Sequence, residues 1–190
     1  MLKFIFQKQN DIMIISISGT PGTGKSSVAK LVSRSLNAEL VDLTEFVRKR
    51  KLSSGVDRSM KSMIVEVEAM GKEFHNFMRE SKPEVIVVEG HLSHLVSPDI
   101  CFVLRLRPDI LEKRLKARRY SKAKMSENVQ AEILDVIYTE ALENCKRAVQ
   151  INATDMAPAK LAERILNTLR SKKYRSDKVD WSKRYQKYLK

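Results

Sequence analysis

The stretch GTPGTGKSS, residues 19–27, follows the apolar and β-branched run DIMIISIS and precedes a helical pattern. It matches the pattern G-x-x-x-x-G-K-[ST], with the fixed positions occupied by Gly19, Gly24, Lys25 and Ser26. Glycines let the backbone curl so that several N–H groups point inward, and the N-terminus of a following helix adds positive potential at the same place. The stretch therefore predicts a phosphate-binding loop between a strand and a helix.

A nucleoside triphosphate is the natural ligand of such a loop, so ATP and Mg²⁺ are the predicted cofactors. Lys25 is expected to bridge the β- and γ-phosphates, Ser26 to supply a magnesium ligand, and Ser27 to contact phosphate next to it. The remaining predicted phosphate contacts are Gly22, Thr23 and Gly24. The alternative is a glycine-rich turn without a ligand, which the agreement of motif and context disfavours. Phosphate binding alone does not name the reaction.

The rest of the chain alternates short β-branched runs with amphipathic stretches. Strands are predicted at residues 12–18, 38–41, 85–88, 100–106 and 148–152, and helices at 25–36, 44–51, from after 67 to about 80, 108–120, 131–145 and 157–170. Thr44 is predicted to cap the second helix. Residues 53–59 and 121–128 are expected to be loops, and 63–67 are ambiguous between strand and helix. This order predicts an α/β P-loop nucleoside triphosphate hydrolase fold, with about five parallel strands and helices on both faces.

Composition predicts one domain and a tail. The 190 residues are expected to divide into a P-loop kinase-like domain, 1–170, and a basic aromatic tail, 171–190. The two cysteines, Cys101 and Cys145, are too few for a disulfide framework and indicate a reducing compartment. Because the sequence has no bilayer-length apolar run and no signal-peptide pattern, we expect a cytoplasmic protein without a membrane partner.

Of the net charge of +13, the tail carries +6, from eight Lys or Arg and two Asp, and the other +7 is spread over the remaining 170 residues. Four aromatic residues alternate with these charges: Tyr174, Trp181, Tyr185 and Tyr188. One interpretation is a surface for RNA or a ribonucleoprotein, since cations neutralise phosphates and aromatic rings stack on unpaired bases. The other is an amphipathic helix docked on its own domain, because the last three aromatics have i, i+4, i+7 spacing. The sequence leaves both open.

Other phosphate-loop classes fit less well. GTPases are disfavoured because the chain has no N-K-x-D sequence and no D-x-x-G after a strand. Transporter-type ATPases need partner motifs and a longer chain. Small phosphotransferases fit best, because they need an acceptor site and a lid that excludes water, and the chain has candidate segments for both.

Several segments together resemble the adenylate kinase isoenzyme 6 family. They are SGTPGTGKSS, the helix with Arg48 and Leu52, the strand end VVEGH, and the run RLKARRYSKAKMSENVQAEILDVIYTEA. The family comprises adenylate-kinase-like proteins of archaea and eukaryotes that also act as ATPases in assembly of the small ribosomal subunit. The resemblance covers roughly residues 12–168, and its most specific part is the RLKARRY segment followed by SENVQAEI.

The resemblance implies a monophosphate-binding segment at about 42–63 and a short basic lid at about 117–127. Arg48 would contact the monophosphate, and Arg118 matches the ATP-contacting arginine of the lid, with Arg114 one turn earlier. Their role would be to neutralise charge that develops on the transferred phosphoryl group. The alternative for each arginine is a solvent-exposed helix face.

The strand end Glu89-Gly90-His91 lies where the family usually has Asp-x-His. The resemblance implies that Glu89 orients magnesium through water and that His91 takes part in ATP hydrolysis, although Glu is one methylene longer than Asp. His91 and His94 are not expected to form a zinc site, because no further ligands lie near them in sequence. His75, within a predicted helix, is expected to be structural.

The predicted function is an ATP-dependent nucleoside monophosphate kinase that also hydrolyses ATP, with AMP as the first candidate acceptor. The resemblance implies a role in maturation of the small ribosomal subunit and its 16S-type rRNA, with a ribosomal platform protein and rRNA as partners. The alternative is a ribosome-assembly ATPase and binding factor with negligible nucleotide kinase activity.

Overall fold

The computed structural model describes residues 12–57 and 62–189. The predicted domain and tail thus extend beyond the described part at residues 1–11 and 190, and residues 58–61 of the predicted monophosphate segment also lie outside it. In the described parts of the chain, none of the helices is long and apolar enough to cross a membrane.

A five-stranded parallel sheet forms the centre of the molecule, as predicted. Within the described residues there are seven strands, which in chain order are β1 (Met13–Ser18), β2 (Glu39–Asp42), β3 (Ser53–Asp57), β4 (Ser62–Val65), β5 (Val85–Glu89), β6 (Ile100–Arg105) and β7 (Ala148–Asn152). The sheet order is β2-β5-β1-β6-β7, and every neighbouring pair is parallel. Parallel strands covered on both faces need apolar side chains on both, which explains the continuous runs in β1, β5 and β6.

Helices cover both faces of this sheet, which confirms the predicted fold. They are α1 (Lys25–Leu36), α2 (Leu43–Lys49), α3 (Val67–Ser81), α4 (Pro108–Ala117), α5 (Lys122–Ile133), α6 (Val136–Asn144) and α7 (Pro158–Ser171). On one face, α1 and α7 pack against alternate residues of the strands, such as Ile15, Phe102 and Ile151. On the other face, α2 and α3 pack against Ile14 and Val88. The alternation follows from the two-residue period of a strand.

In its described part, Ser53–Asp57, the predicted loop at 53–59 is instead a strand. β3 pairs antiparallel with β4, which resolves the ambiguous 63–67 segment as extended up to Val65. Met63 and Val65 pack against the core that α2 and α3 cover, whereas Val56 and Ile64 are 61% and 51% exposed. The alternation along Met63, Ile64 and Val65 is the pattern of a half-buried strand, and the polar composition of residues 53–59 obscured its partner.

The predicted charged loop at 121–128 is helical and forms most of α5. Ser121 caps this helix, because its side chain accepts a hydrogen bond from Lys124 N at 3.3 Å. Met125, Val129 and Ile133 recur every four residues and face one apolar cluster, while the charged residues lie between them. The predicted helix at 131–145 is correspondingly two helices, separated where Asp135 adopts a φ of 58°.

Two helix ends also differ from the predictions. Asp42, not Thr44, caps α2, because its Oδ1 accepts a hydrogen bond from Glu45 N at 3.0 Å. α4 ends at Ala117, three residues earlier than predicted, because Arg119 adopts a φ of 58° that an α-helix cannot continue.

The C-terminal tail, residues 171–190, packs on the domain through its aromatic side chains. Tyr185 is 6% exposed and lies among Leu111, Leu115, Val129 and Ile133 of α4 and α5. Its hydroxyl donates to Asp109 at 2.7 Å. Residues 182–188 form a turn followed by one 3-10 turn, Gln186–Tyr188, and not the amphipathic helix that one of the two interpretations of the tail requires.

Candidate active site

The glycine-rich loop joins β1 to α1 at the carboxyl edge of the sheet. Gly22 and Gly24 adopt φ angles of 101° and 103°, which favour glycine over residues with a side chain. A Cβ added to Gly22 would lie 3.0 Å from Leu111 Cδ1, so α4 packs directly against the loop. Ser26 and Ser27 are exposed in the first turn of α1, beside the loop. This is the strand–loop–helix context that a phosphate cradle requires.

Lys25 begins α1 and directs its ammonium group into the loop. Its residue is 8% exposed, and Nζ donates a hydrogen bond to Thr20 O at 3.1 Å. Burial lowers the pKa of Lys25 to about 8, and the negative charge of Glu89 offsets part of this effect. The same carbonyl oxygen of Thr20 accepts hydrogen bonds from Thr23 N and Thr23 Oγ1 at 3.2 and 2.9 Å. The hydrogen bond to Thr20 O therefore holds the Lys25 side chain within the loop.

Two carboxylates lie at the same edge of the sheet. Glu89 is the last residue of β5 and is buried, and Asp42, the last residue of β2, is its register partner. The negative charges of both residues raise the pKa of Lys25. Asp42 was not among the predicted site residues. Its position at the end of a predicted parallel strand could have identified it as a site residue, because the carboxyl ends of parallel strands lie at the ligand-binding edge of the sheet.

The residues after Glu89 are tied to β1. Ser18 Oγ donates to Gly90 O at 3.2 Å, which fixes the chain reversal before His91. The residue His91 is exposed, yet desolvation by its neighbours and the positive charge of Lys25 lower the pKa of its imidazole to about 4, so this side chain is neutral at neutral pH. His91 therefore lies within electrostatic reach of Lys25, beside the loop.

The other two histidines have structural partners. His94 is fully buried, with Nδ1 3.2 Å from Ser18 Oγ and Nε2 2.8 Å from Glu140 Oε2. His75 Nδ1 lies 2.8 Å from Gly71 O within α3. Across residues 12–57 and 62–189, no group of three or more His, Cys, Asp or Glu is arranged to hold a metal ion.

Two of the three predicted arginines lie beside the loop. Arg114 Nη1 donates to Gly22 O at 3.1 Å and so links α4 to the loop. Arg118 is exposed at the end of α4, and its positive charge lowers the pKa of Lys25, which indicates proximity. Arg48 is exposed in the last turn of α2, the helix that follows Asp42.

A buried polar network beneath the loop was absent from the sequence prediction. Thr20 Oγ1 donates to Glu132 Oε2 at 2.6 Å, and Arg105 Nε donates to Glu132 Oε1 at 2.9 Å. Arg105 is 1% exposed and stands within the apolar run ICFVLRL. A charge inside a buried strand must be paired, so its presence was a signal that sequence analysis overlooked.

Solved structures that superpose on this chain include two kinases. Shikimate kinase from Acinetobacter baumannii in complex with shikimate superposes with a TM-score of 0.60 at 17% identity, over 86% of this chain and 96% of that one. Deoxyadenosine kinase from M. mycoides with bound dATP gives a TM-score of 0.52 at 16% identity, over 83% and 99%. The parallel sheet, its two helical layers and the glycine-rich loop define an α/β protein of the P-loop kinase fold.

Sequence comparison identifies the family within this class. The profile of the family described as "AAA domain" matches residues 15–135. "Putative adenylate kinase" of Thermococcus onnurineus is 40% identical over 178 residues, which are 93% of this chain and 96% of that protein. "Putative adenylate kinase" of Methanocaldococcus jannaschii is 37% identical over 93% and 97%. The chain belongs to the AAA domain family and to the same family as these archaeal proteins.

Proposed function

We propose that this protein is an ATP-dependent nucleoside monophosphate kinase of the adenylate kinase type, which also hydrolyses ATP slowly. The observation that carries the proposal is the Lys25 ammonium group inside a glycine-rich loop, beside Glu89 at the carboxyl edge of a parallel sheet. The names of the archaeal relatives support the same activity.

In the proposed reaction, a phosphate oxygen of the monophosphate attacks the γ-phosphorus of ATP, and the bond to the β–γ bridging oxygen breaks. The loop and the N-terminus of α1 bind the phosphates through backbone N–H groups, and Lys25 bridges the β- and γ-phosphates. Arg118 and Arg114 approach from α4 and neutralise the charge that develops on the transferred group. Catalysis then consists of positioning and electrostatic stabilisation, without a covalent intermediate.

The side chains at this edge fit Mg²⁺. The hydroxyl of Ser26 and the carboxylates of Glu89 and Asp42 are hard oxygen donors, which Mg²⁺ prefers, and they lie where the phosphates would bind. Bound magnesium would neutralise phosphate charge.

The acceptor site is proposed to lie in the monophosphate-binding segment at about 42–63, which in its described part comprises α2 and β3. Arg48 on α2 would contact the phosphate of the acceptor, and AMP is the first candidate. The lid is proposed at about 117–127, across the end of α4 and the start of α5. His91, neutral and next to Lys25, would orient the attacking water during ATP hydrolysis.

The test is ADP formation from magnesium-ATP by the purified protein, alone and with AMP, CMP, UMP and their deoxy forms. Lys25→Ala supplies the background rate. A large stimulation by one monophosphate, with appearance of its diphosphate, is the expected result. Slow hydrolysis that is indifferent to every monophosphate would contradict the kinase proposal and favour a binding factor with ATPase activity.

A second proposed role, in small-subunit assembly with rRNA and a ribosomal platform protein, is favoured by the tail. Its aromatic side chains pack on the domain, which leaves the charges facing solvent. Seven basic residues of the tail are exposed: Lys172, Lys173, Arg175, Lys178, Lys183, Arg184 and Lys187. Such a surface suits phosphate neutralisation more than base stacking.

The assembly role is tested by charge substitution, because deletion of the tail would uncover the apolar cluster of α4 and α5. Four changes to Gln at 172, 173, 178 and 183 should make the negative slope of log affinity against log salt for single-stranded rRNA shallower by about 3. The matched control replaces four exposed cations elsewhere: Lys30, Lys72, Arg79 and Lys160. Equal slopes for the tail variant and the wild type would contradict an RNA-binding tail.

A further inference from the structure

A buried carboxylate supports the phosphate loop from below. Glu132 on α5 is 2% exposed, and its Oε2 accepts a hydrogen bond from Thr20 Oγ1 at 2.6 Å. Its Oε1 accepts from Arg105 Nε at 2.9 Å and from Leu106 N at 3.0 Å. Thr20 belongs to the loop itself, so this carboxylate, on a helix distant in the chain, binds a side chain of the phosphate loop directly.

The charge of Glu132 is balanced within the core. Arg105 also donates to the backbone oxygen of Glu132 and to Gln150 Oε1, each at 2.7 Å, and it contacts Asp135. A buried ion pair whose hydrogen-bonding groups all have partners is rigid, because any displacement leaves a charge unpaired in a medium of low polarity. Glu132 therefore has a fixed position, and its hydrogen bond with Thr20 restrains the phosphate loop.

Thr20 transmits this fixed position to the catalytic lysine. Its hydroxyl binds Glu132, and its carbonyl oxygen accepts hydrogen bonds from Lys25 Nζ, Thr23 N and Thr23 Oγ1. Thr20 therefore contacts the turn of the loop, the ammonium group of Lys25 and the carboxylate of Glu132. Through these hydrogen bonds it fixes the loop and the lysine relative to α5. The first turns of α5 lie in the proposed lid, which means that lid and loop share one support.

We infer that Thr20 and Glu132 are positioning residues, which hold the phosphate loop in its binding conformation and fix it relative to the lid. The inference rests on the proposed function for its catalytic consequence, because preorganised donors stabilise the transition state more than the ground state. Its structural consequence, a loop whose backbone is held rigid, is independent of the reaction.

The test compares three full-length variants. Thr20→Val keeps the shape of the side chain and removes the hydroxyl, whereas Thr20→Ser keeps the hydroxyl. Asp135→Asn is the matched control: it weakens the same Arg105 network on the side away from the loop, and Asn tolerates the φ of 58° at that position. The readouts are kcat and KM for magnesium-ATP with AMP, hydrogen exchange of peptides covering residues 19–24, and the melting temperature.

We expect Thr20→Val to lower kcat about tenfold with less than about a threefold change in KM, and to speed amide exchange in the loop about tenfold. Thr20→Ser should restore kcat and the slow amide exchange of the loop. Asp135→Asn should lower the melting temperature while leaving kcat and loop exchange near their wild-type values. Unchanged loop exchange in Thr20→Val, or equal loosening in Asp135→Asn, would overturn the inference. Absence of AMP-stimulated turnover in the wild type would refute the proposed kinase instead, and the exchange data would still decide the positioning role.

Discussion

Lys25 Nζ lies 3.1 Å from the carbonyl oxygen of Thr20, five residues earlier in the same loop. An ammonium group has three N–H donors, and this buried carbonyl satisfies one of them. A desolvated cation with spare donors is a strong site for phosphate oxygens, because the environment strengthens the electrostatic attraction. The contact therefore explains how the loop keeps its lysine both buried and available.

Replacement of this lysine should remove most of the activity. Lys25→Ala is expected to lower ATP turnover about a hundredfold or more, because the donor acts on charge that develops in the transition state. Steady-state ADP formation measures the effect. Lys30→Ala, an exposed lysine on the same helix, serves as control and should match the wild type. Near-normal turnover in Lys25→Ala would refute the site.

ATP binding should weaken with rising pH near the pKa of Lys25. In the free protein this pKa is about 8, and phosphate binding favours the charged form and so raises it. Above pH 8 the affinity is therefore expected to fall, up to about tenfold per pH unit, with uptake of a proton. Titration calorimetry in two buffers of different ionisation enthalpy detects the proton. Lys25→Arg, always charged, should show no such uptake; uptake of equal size there would assign it to another group.

The lid arginine should affect turnover more than binding. Arg118→Ala is expected to lower kcat about a hundredfold, since in the proposed site it removes the cation that would neutralise charge on the transferred phosphoryl group. Its neighbour Arg119 is also exposed and supplies the matched control. The two variants are compared by kcat and KM for ATP at saturating AMP. Similar losses in both would indicate a general effect of lid charge instead of a specific contact.

The buried ion pair should matter far more for stability than a surface pair. Arg105→Met leaves Glu132 without its charged partner and is expected to cost about 3–5 kcal/mol of unfolding free energy, measured by denaturant titration. Lys49→Ala removes the partner of Glu45 in a solvent-exposed pair and should leave the midpoint nearly unchanged. A small effect of Arg105→Met would show that the core tolerates the unpaired carboxylate, for example by protonation.

Docking of the tail should contribute to stability through Tyr185. Tyr185→Ala removes a ring buried against α4 and α5 and is expected to cost about 3 kcal/mol, whereas Tyr185→Phe loses only the hydrogen bond to Asp109, about 1 kcal/mol. Thermal and denaturant unfolding measure both. If Tyr185→Ala unfolds like the wild type, the tail does not pack on the domain in solution.

Sequence analysis correctly predicted the features that depend on residues close together in the sequence. The β-branched runs of β1, β5 and β6 identify buried strands, and the spacing of Gly24 and Lys25 identifies the loop, because backbone conformation and strand burial leave a local pattern. It failed at residues 121–128, where charged residues conceal the four-residue spacing of Met125 and Val129. It also missed the β3–β4 hairpin, whose composition is that of a loop.

The candidate site divides in the same way. Lys25 and Ser26 were predicted from the glycine-rich motif, and Glu89 from the family resemblance; the structure places Glu89 at the carboxyl edge of the sheet. Glu132 was not predicted, since it lies 112 residues from Thr20 and no spacing relates them. Its partner Arg105 was recognisable as a charge in an apolar strand, but the strand does not reveal which carboxylate neutralises it.

The sequence by itself determined the parallel sheet, the glycine-rich loop and the edge at which they meet, since each depends on residues close together in the chain. The tertiary structure alone decided that Asp42 joins Glu89, that Glu132 holds Thr20, and that the tail packs on α4 and α5. Glu132 and Thr20 meet because burial leaves no water to satisfy a charge or a polar group, so each must find a partner wherever the fold brings one. Asp42 and Glu89 meet because β2 and β5 are paired in register, and the tail packs because its aromatic rings are removed from water.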